Sequence, residues 1–162
     1  MSVNVERRVF DPGDDAFAES AWTLKESIRA AEGVLKQRRG FFMDAYRRSR
    51  VYALVERGEE DSIVGFAATR RDGYILFLAV ASGYRGEGFG EQLIARVAED
   101  YSTVSCHARA TNRSAIEFYQ HVGFEIQRRV DSYYEDAGDA YYLKLGDGGL
   151  REAVSNLFSD GS

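Results

Sequence analysis

Residues 74–80 of this 162-residue chain form an apolar run of strand character. A loop containing Arg85-Gly86-Glu87-Gly88-Phe89-Gly90 follows, and then an amphipathic run with Leu93, Ile94, Val97 and Ala98 on one stripe. A strand, a glycine-rich turn and a helix in that order constrain the fold more than any other feature. Glycines at alternate positions permit positive φ, so successive backbone N–H groups can converge on one point. A helix beginning there adds its own unpaired N–H groups and the positive end of its dipole. Such a turn binds phosphate or pyrophosphate, and Arg85 would add a forked cation. The competing reading, a hairpin turn without a ligand, is disfavoured by an arginine and three alternating glycines placed between strand and helix. A nucleotide-hydrolysing P-loop is excluded because no Gly-Lys-Ser/Thr is present. A dinucleotide fingerprint needs an acidic residue about 20 positions on, and Glu99 and Asp100 come too soon.

The rest of the chain extends this alternation. Residues 3–10 read as a strand stopped at Asp11-Pro12-Gly13. Asp14 and Asp15 favour a helix start over residues 16–21. A second helical run covers 22–39, with Leu24, Ile28, Ala31 and Leu35 at helical spacing and Gly40 as its stop. Residues 51–56 and 63–71 read as strands joined through a charged turn, and Gly73 turns into 74–80. Beyond the glycine loop a helix runs to about Asp100. A strand at 103–108, a helix at 112–122 and strands at 124–130 and 141–145 complete the order. This predicts an α/β protein with a mixed central sheet of about seven strands and helices on both faces. One domain spans 1–145, and a tail, 146–162, carries Leu150, Val154, Leu157 and Phe158 at the spacing of a short helix.

A hydrophobic content of 44%, with 13% aromatic residues, supports a packed core rather than disorder. A net charge of −5 speaks against nucleic-acid binding. The local cluster Arg38, Arg39, Arg47, Arg48 and Arg50 reads as solvated surface. The single cysteine, Cys106, excludes an internal disulfide and a cysteine-rich metal site. No apolar stretch reaches membrane-spanning length, and residues 1–10 carry charges where a secretory signal is apolar. A cytoplasmic protein is expected.

A second motif follows the first by about twenty residues: Asn112-Arg113-Ser114-Ala115-Ile116-Glu117-Phe118-Tyr119-Gln120-His121-Val122-Gly123-Phe124. Together with Arg85-x-x-Gly88-x-Gly90 after the Leu78-Ala79-Val80 strand, it resembles the two acetyl-CoA motifs of the GNAT superfamily, the acyl-CoA-dependent N-acyltransferases. The resemblance covers roughly 51–145. It implies acetyl-CoA as acyl donor, an amine as acceptor, direct attack of the neutral amine on the thioester, and no metal. By the same resemblance Arg85, Gly86, Glu87, Gly88, Phe89, Gly90 and Glu91 hold the pyrophosphate. Leu78, Ala79 and Val80 offer backbone hydrogen bonds to the pantetheine and the thioester carbonyl, and Asn112, Ser114, Ala115 and Tyr119 complete the donor site.

Asn112 and Tyr119 are seven residues apart, two helical turns, and so share a face. Asn112 equally suits a helix N-cap, and Tyr119 taken alone would be an amphipathic core residue. The resemblance gives Tyr119 the task of protonating the departing thiolate. A phenol near pKa 10 and a thiolate near 8.5 are suited to that exchange. Covalent catalysis by Cys106 is the rival, but its position inside a strand favours a buried, inert thiol. In relatives that acetylate protein N-termini a Glu often stands five residues before the motif Asn, and here that position is His107. An imidazole near pKa 6.5 could take a proton from an α-ammonium near 8, with a structural histidine as the equal alternative. The stretch Tyr133-Tyr134-Glu135-Asp136 before Tyr141-Tyr142 resembles the acceptor-facing hairpin of the ribosomal-protein alanine and protein N-terminal acetyltransferase branch. Tyr133 and Tyr134 are the candidate acceptor contacts, though paired tyrosines also serve cross-strand packing. The expected activity is acetylation of a protein or peptide N-terminal amine by a monomer or homodimer. The alternatives are acetylation of a small amine (polyamine, amino acid or antibiotic) and a non-catalytic acyl-CoA-binding regulator.

Overall fold

The computed structural model describes residues 4–146. Alternation along β2 (Arg50–Glu56) explains the layering. Tyr52 and Leu54 project into one apolar cluster, and Val51, Ala53 and Val55 into another on the opposite face. The first cluster receives Leu93, Ile94 and Val97 of α3 (Phe89–Asp100) and Ile116 and Tyr119 of α4 (Arg113–His121). The second receives Leu24 and Ile28 of α1 (Ala18–Glu32) and Phe42, Met43 and Tyr46 of α2 (Arg39–Arg48). Phe42 is fully buried and packs its ring on Phe77, with centroids 4.8 Å apart.

Seven strands are present among the described residues, in two antiparallel sheets. One has the order β1-β2-β3-β4 and the other β5-β7-β6. Their remaining ranges are β1 Val5–Phe10, β3 Ser62–Thr69, β4 Ile75–Val80, β5 Ser105–Arg109, β6 Phe124–Val130 and β7 Ala140–Leu145. The expected single sheet is therefore divided. Its mixed character rests on one parallel bridge, Tyr74 to Ser105, between the start of β4 and β5. Beyond that bridge the two strands diverge, because β5 is held on its far side by β7. The outer edge of β4 is left open, and it forms the wall of the cleft described below.

The element order agrees with the sequence reading, but one helix lies elsewhere. α1 stops at Gly33, which adopts φ 70° and donates its N–H to the Arg29 carbonyl at 2.9 Å. Gly40, the expected stop, lies inside α2. The apolar spacing carries on through Leu35, which hides the break; Leu35 itself has φ 55° and is not helical. Val3 and the predicted tail helix lie outside the described residues.

Gly73 sits at the point where the sheets join. Its φ is +79°, and a Cβ there would lie 1.9 Å from the Thr103 carbonyl oxygen. Backbone cannot yield as a flexible side chain can, so Gly73→Ala combines a strained dihedral with a main-chain clash. We expect a loss of about 3 kcal/mol or more of stability, read as a lowered midpoint in urea unfolding. Gly83→Ala, whose Cβ meets nothing within 4 Å at ordinary φ, is the near-neutral control.

Candidate active site

The divergence of β4 and β5 opens a cleft of about 1340 Å³. One wall is the free edge of β4. Ala81 donates its N–H to the Val64 carbonyl at 2.8 Å, so its polar groups face β3. By the alternation of a strand, those of Val80 and Leu78 face the cleft. Arg85 corroborates this, its Nε donating to the Val80 carbonyl at 3.1 Å.

The glycine loop closes the top. Gly86 and Gly88 have φ of +82° and +79°, and a Cβ on either would meet nothing within 4 Å. These glycines are required by dihedral angle, and the space before them is open. Among the described residues no protein acceptor receives the N–H of residues 86–88. The first paired amide of α3 is Gln92, bonded to the Gly88 carbonyl at 3.0 Å. A row of unpaired amides therefore meets the positive end of a twelve-residue helix, which suits a pyrophosphate. Gly90 has a different cause: a Cβ there would lie 3.0 Å from the Phe118 ring, so it permits α3 to approach α4. Glu87 is exposed and, of the expected loop contacts, it alone does not line the cleft. Arg85 is engaged by Glu32, Nη2 to Oε2 at 2.7 Å.

On the opposite wall Asn112 caps α4, its Oδ1 accepting from the Ala115 N–H at 3.2 Å. The N-cap role and a place in the cleft lining coexist, because only one of its polar atoms is used. Ser114, Ala115 and Tyr119 line the same wall. Tyr119 is 7% exposed, between Phe118 and Phe124. Burial pushes its phenol well above the usual value, and the neighbouring Cys106 adds to the effect. The phenol stays protonated throughout the neutral range. Burial pushes the Cys106 thiol up to about 12, which removes it as a nucleophile at neutral pH.

His107 lies at the far end, on β5, half-buried in aromatic rings. It stacks on Tyr133 with centroids 4.1 Å apart and planes 9° apart. Its Nδ1 is 2.6 Å from the Tyr74 hydroxyl, which is also 3.2 Å from the hydroxyl of Tyr133. Burial lowers the His107 pKa below 6.5, and the Arg128 and Arg70 guanidiniums depress it further, so the imidazole is neutral at pH 7. Burial raises the Tyr74 phenol above the ordinary range. The pair can relay a proton: Tyr74 gives its own to Nδ1 as it accepts another. Tyr74 is the residue that the sequence reading does not single out. Its signal is the register Tyr74 to Ser105, which sets it diagonally from His107 and is a tertiary pairing.

The loop between β6 and β7, residues 131–139, covers this end. Arg109 holds it from beneath, Nη1 to Asp136 at 3.1 Å, with its guanidinium 4.1 Å from the Tyr134 ring centroid. These contacts, with the Gly138 amide and Lys36, bring the Asp136 carboxyl down to about 2. From the other wall the α1–α2 connection, 33–38, reaches across with Lys36 to Asp136 at 3.2 Å and Arg38 to Glu135 at 3.3 Å. Elsewhere in the basic cluster Arg39 pairs with Glu19, Arg47 with Asp15 at 3.2 Å and Arg50 with Asp11 at 3.4 Å. Among the described residues no helix is long and apolar enough to cross a membrane.

Residues 47–126 match the family described as Acetyltransferase (GNAT) domain. N-alpha-acetyltransferase 30 of Xenopus laevis is 40% identical over 80 residues, which is 46% of this chain and 29% of that protein. N-alpha-acetyltransferase MAK3 of Arabidopsis thaliana is 33% identical over 78 residues, 45% of this chain and 41% of the relative. The chain thus spans less than half the length of these curated relatives. Among solved structures, Ard1 from Thermoplasma volcanium superposes with a TM-score of 0.68 at 23% identity, covering 88% of this chain and 97% of that one. The NatC complex bound to Gag peptide and CoA gives 0.63 at 21%, covering 88% and 98%. The ribosomal-protein-S18-alanine N-acetyltransferase of Escherichia coli gives 0.66 at 20%, covering 86% and 93%.

Proposed function

We propose, from the match of residues 47–126 to the GNAT acetyltransferase family, that the chain moves the acetyl group of acetyl-CoA to the N-terminal α-amine of a protein or peptide. The observation that carries this reading is the presence in one cleft of a glycine turn with unpaired amides and a neutral His107–Tyr74 pair, with Tyr119 in the same lining. The names of the relatives, N-alpha-acetyltransferases in several organisms, support the acceptor class.

The donor's thioester supplies an activated acyl carbon. The amides of residues 86–91 hold its pyrophosphate, and the free edge of β4 receives the pantetheine as an added strand would. The Leu78 and Val80 N–H groups are the available donors to a developing oxyanion. Tyr74 accepts the proton of the attacking amine while passing its own to His107 Nδ1. An α-amine near pKa 8 meets this weak base better than a lysine near 10.4. Tyr119 protonates the leaving thiolate. The test is release of free CoA thiol with panels of N-terminal peptides, N-terminally blocked lysine peptides and small amines. Peptides with a free α-amine should turn over fastest, and a small amine doing so would reject the acceptor class.

The loop makes a separate prediction. Gly88→Val places a branched side chain in the open space before the amides and forces a β-branched residue to φ +79°. CoA affinity should fall about tenfold or more, the size of losing one to two charge-assisted hydrogen bonds. Calorimetry of a folded Gly88→Val protein with undiminished affinity would contradict the placement.

A further inference from the structure

The expected cation of the glycine loop already has protein partners. Two nitrogens of the Arg85 guanidinium are engaged, one by α1 and one by the end of β4. Nη2 meets Glu32 Oε2 at 2.7 Å, and Nε donates to the Val80 carbonyl at 3.1 Å. Glu32 is the last residue of α1, immediately before the αL residue Gly33 and the connection that reaches the β6–β7 loop. Val80 is the last residue of β4, and its carbonyl lies on the free edge. One planar fork therefore ties the loop to α1 and to the end of the strand that forms the donor wall. The two side chains are 43% and 37% exposed, so neither is forced into the contact by packing.

We propose that Glu32 and Arg85 form a strut, two positioning residues that set the pitch of the glycine loop against β4 and leave the phosphate to the uncharged amides of residues 86–91. This rests on the donor site proposed above. The competing arrangement has Arg85 neutralising the phosphate directly, with Glu32 as its competitor. The two differ in sign. In a strut Glu32 assists binding, whereas as a competitor it opposes it. They also differ in what lysine can do. A lysine at 85 is a good point charge for phosphate, but it lacks the fork that spans Glu32 and the Val80 carbonyl together.

The test is calorimetric titration of CoA into wild type, Arg85→Gln, Glu32→Ala, the double variant and Arg85→Lys, with a thermal melt of each. The strut predicts that Arg85→Gln and Glu32→Ala each weaken CoA binding about three- to tenfold, the range of one exposed ion pair and one hydrogen bond. The double variant is no weaker than the weaker single variant, Arg85→Lys behaves as Arg85→Gln, and the melting midpoints are unchanged. Tighter binding by Glu32→Ala, or wild-type affinity in Arg85→Lys, overturns the strut and makes Arg85 a phosphate ligand. Failure of the wild type itself to bind CoA overturns the donor site, and the strut with it.

Discussion

Tyr119→Phe should lower turnover by about 10²–10⁴-fold while leaving CoA affinity within a small factor of wild type. The ring is held by Phe118 at 5.4 Å and Phe124 at 5.0 Å between centroids, and phenylalanine keeps both contacts. Only the hydroxyl is lost, so the defect falls on the step that needs a proton. Because burial holds the phenol protonated well beyond its usual range, Tyr119 contributes no alkaline limb below pH 10. A wild-type rate that declines around pH 9 therefore has another cause. Measurement of kcat and Kd on the same preparation decides the matter. Unchanged kcat would remove Tyr119 from the chemistry, and a parallel loss of CoA binding would make it a binding residue.

His107→Gln should cost about 10²–10³-fold in kcat/KM and abolish the acid limb of the pH profile. The sign follows from the environment. A base must be neutral, and desolvation with Arg128 and Arg70 lowers the pKa of this imidazole. The wild-type rate should then rise with pH through a midpoint below 6.5, not within the ordinary histidine range. Removing Arg128 by Arg128→Gln should move that midpoint upward. Tyr74→Phe breaks the 2.6 Å contact and should reproduce most of the His107→Gln loss, with the double variant little worse, since one relay is lost either way. The same depressed pKa bears on stability. The neutral form is favoured in the folded state, so this stabilisation is present above pH 6.5 and is lost as pH falls through the lower folded pKa. A profile untouched by His107→Gln would leave the histidine a structural member of the aromatic stack.

The donor side was legible because its chemistry is local. Gly86, Gly88 and the start of α3 are adjacent in sequence, and positive φ at alternate glycines follows from residue type. Asn112 and Tyr119 were equally accessible, being two turns apart on one helix. The acceptor side was not. Tyr74 meets His107 through a single parallel bridge between strands 30 residues apart, and no periodicity announces that register. Glu32 and Lys36 border the cleft only because α1 ends at Gly33, a break concealed by apolar spacing that runs on to Leu35. The division of the seven strands into two sheets was also hidden, since it depends on β5 pairing with β7 rather than along the full length of β4. Arg85 was expected as a cation for the phosphate, and its partners, Glu32 and the Val80 carbonyl, were hidden because they are tertiary.

The most direct measurement presents both amines to the enzyme at once. A peptide with a free N-terminus and one internal lysine is incubated with acetyl-CoA, and the acetylated residue is mapped by tandem mass spectrometry across pH 6–9. The proposed chemistry predicts acetyl on the N-terminal nitrogen throughout, because the α-amine loses its proton more than two units below lysine. Acetyl on the lysine side chain would contradict the account of this site.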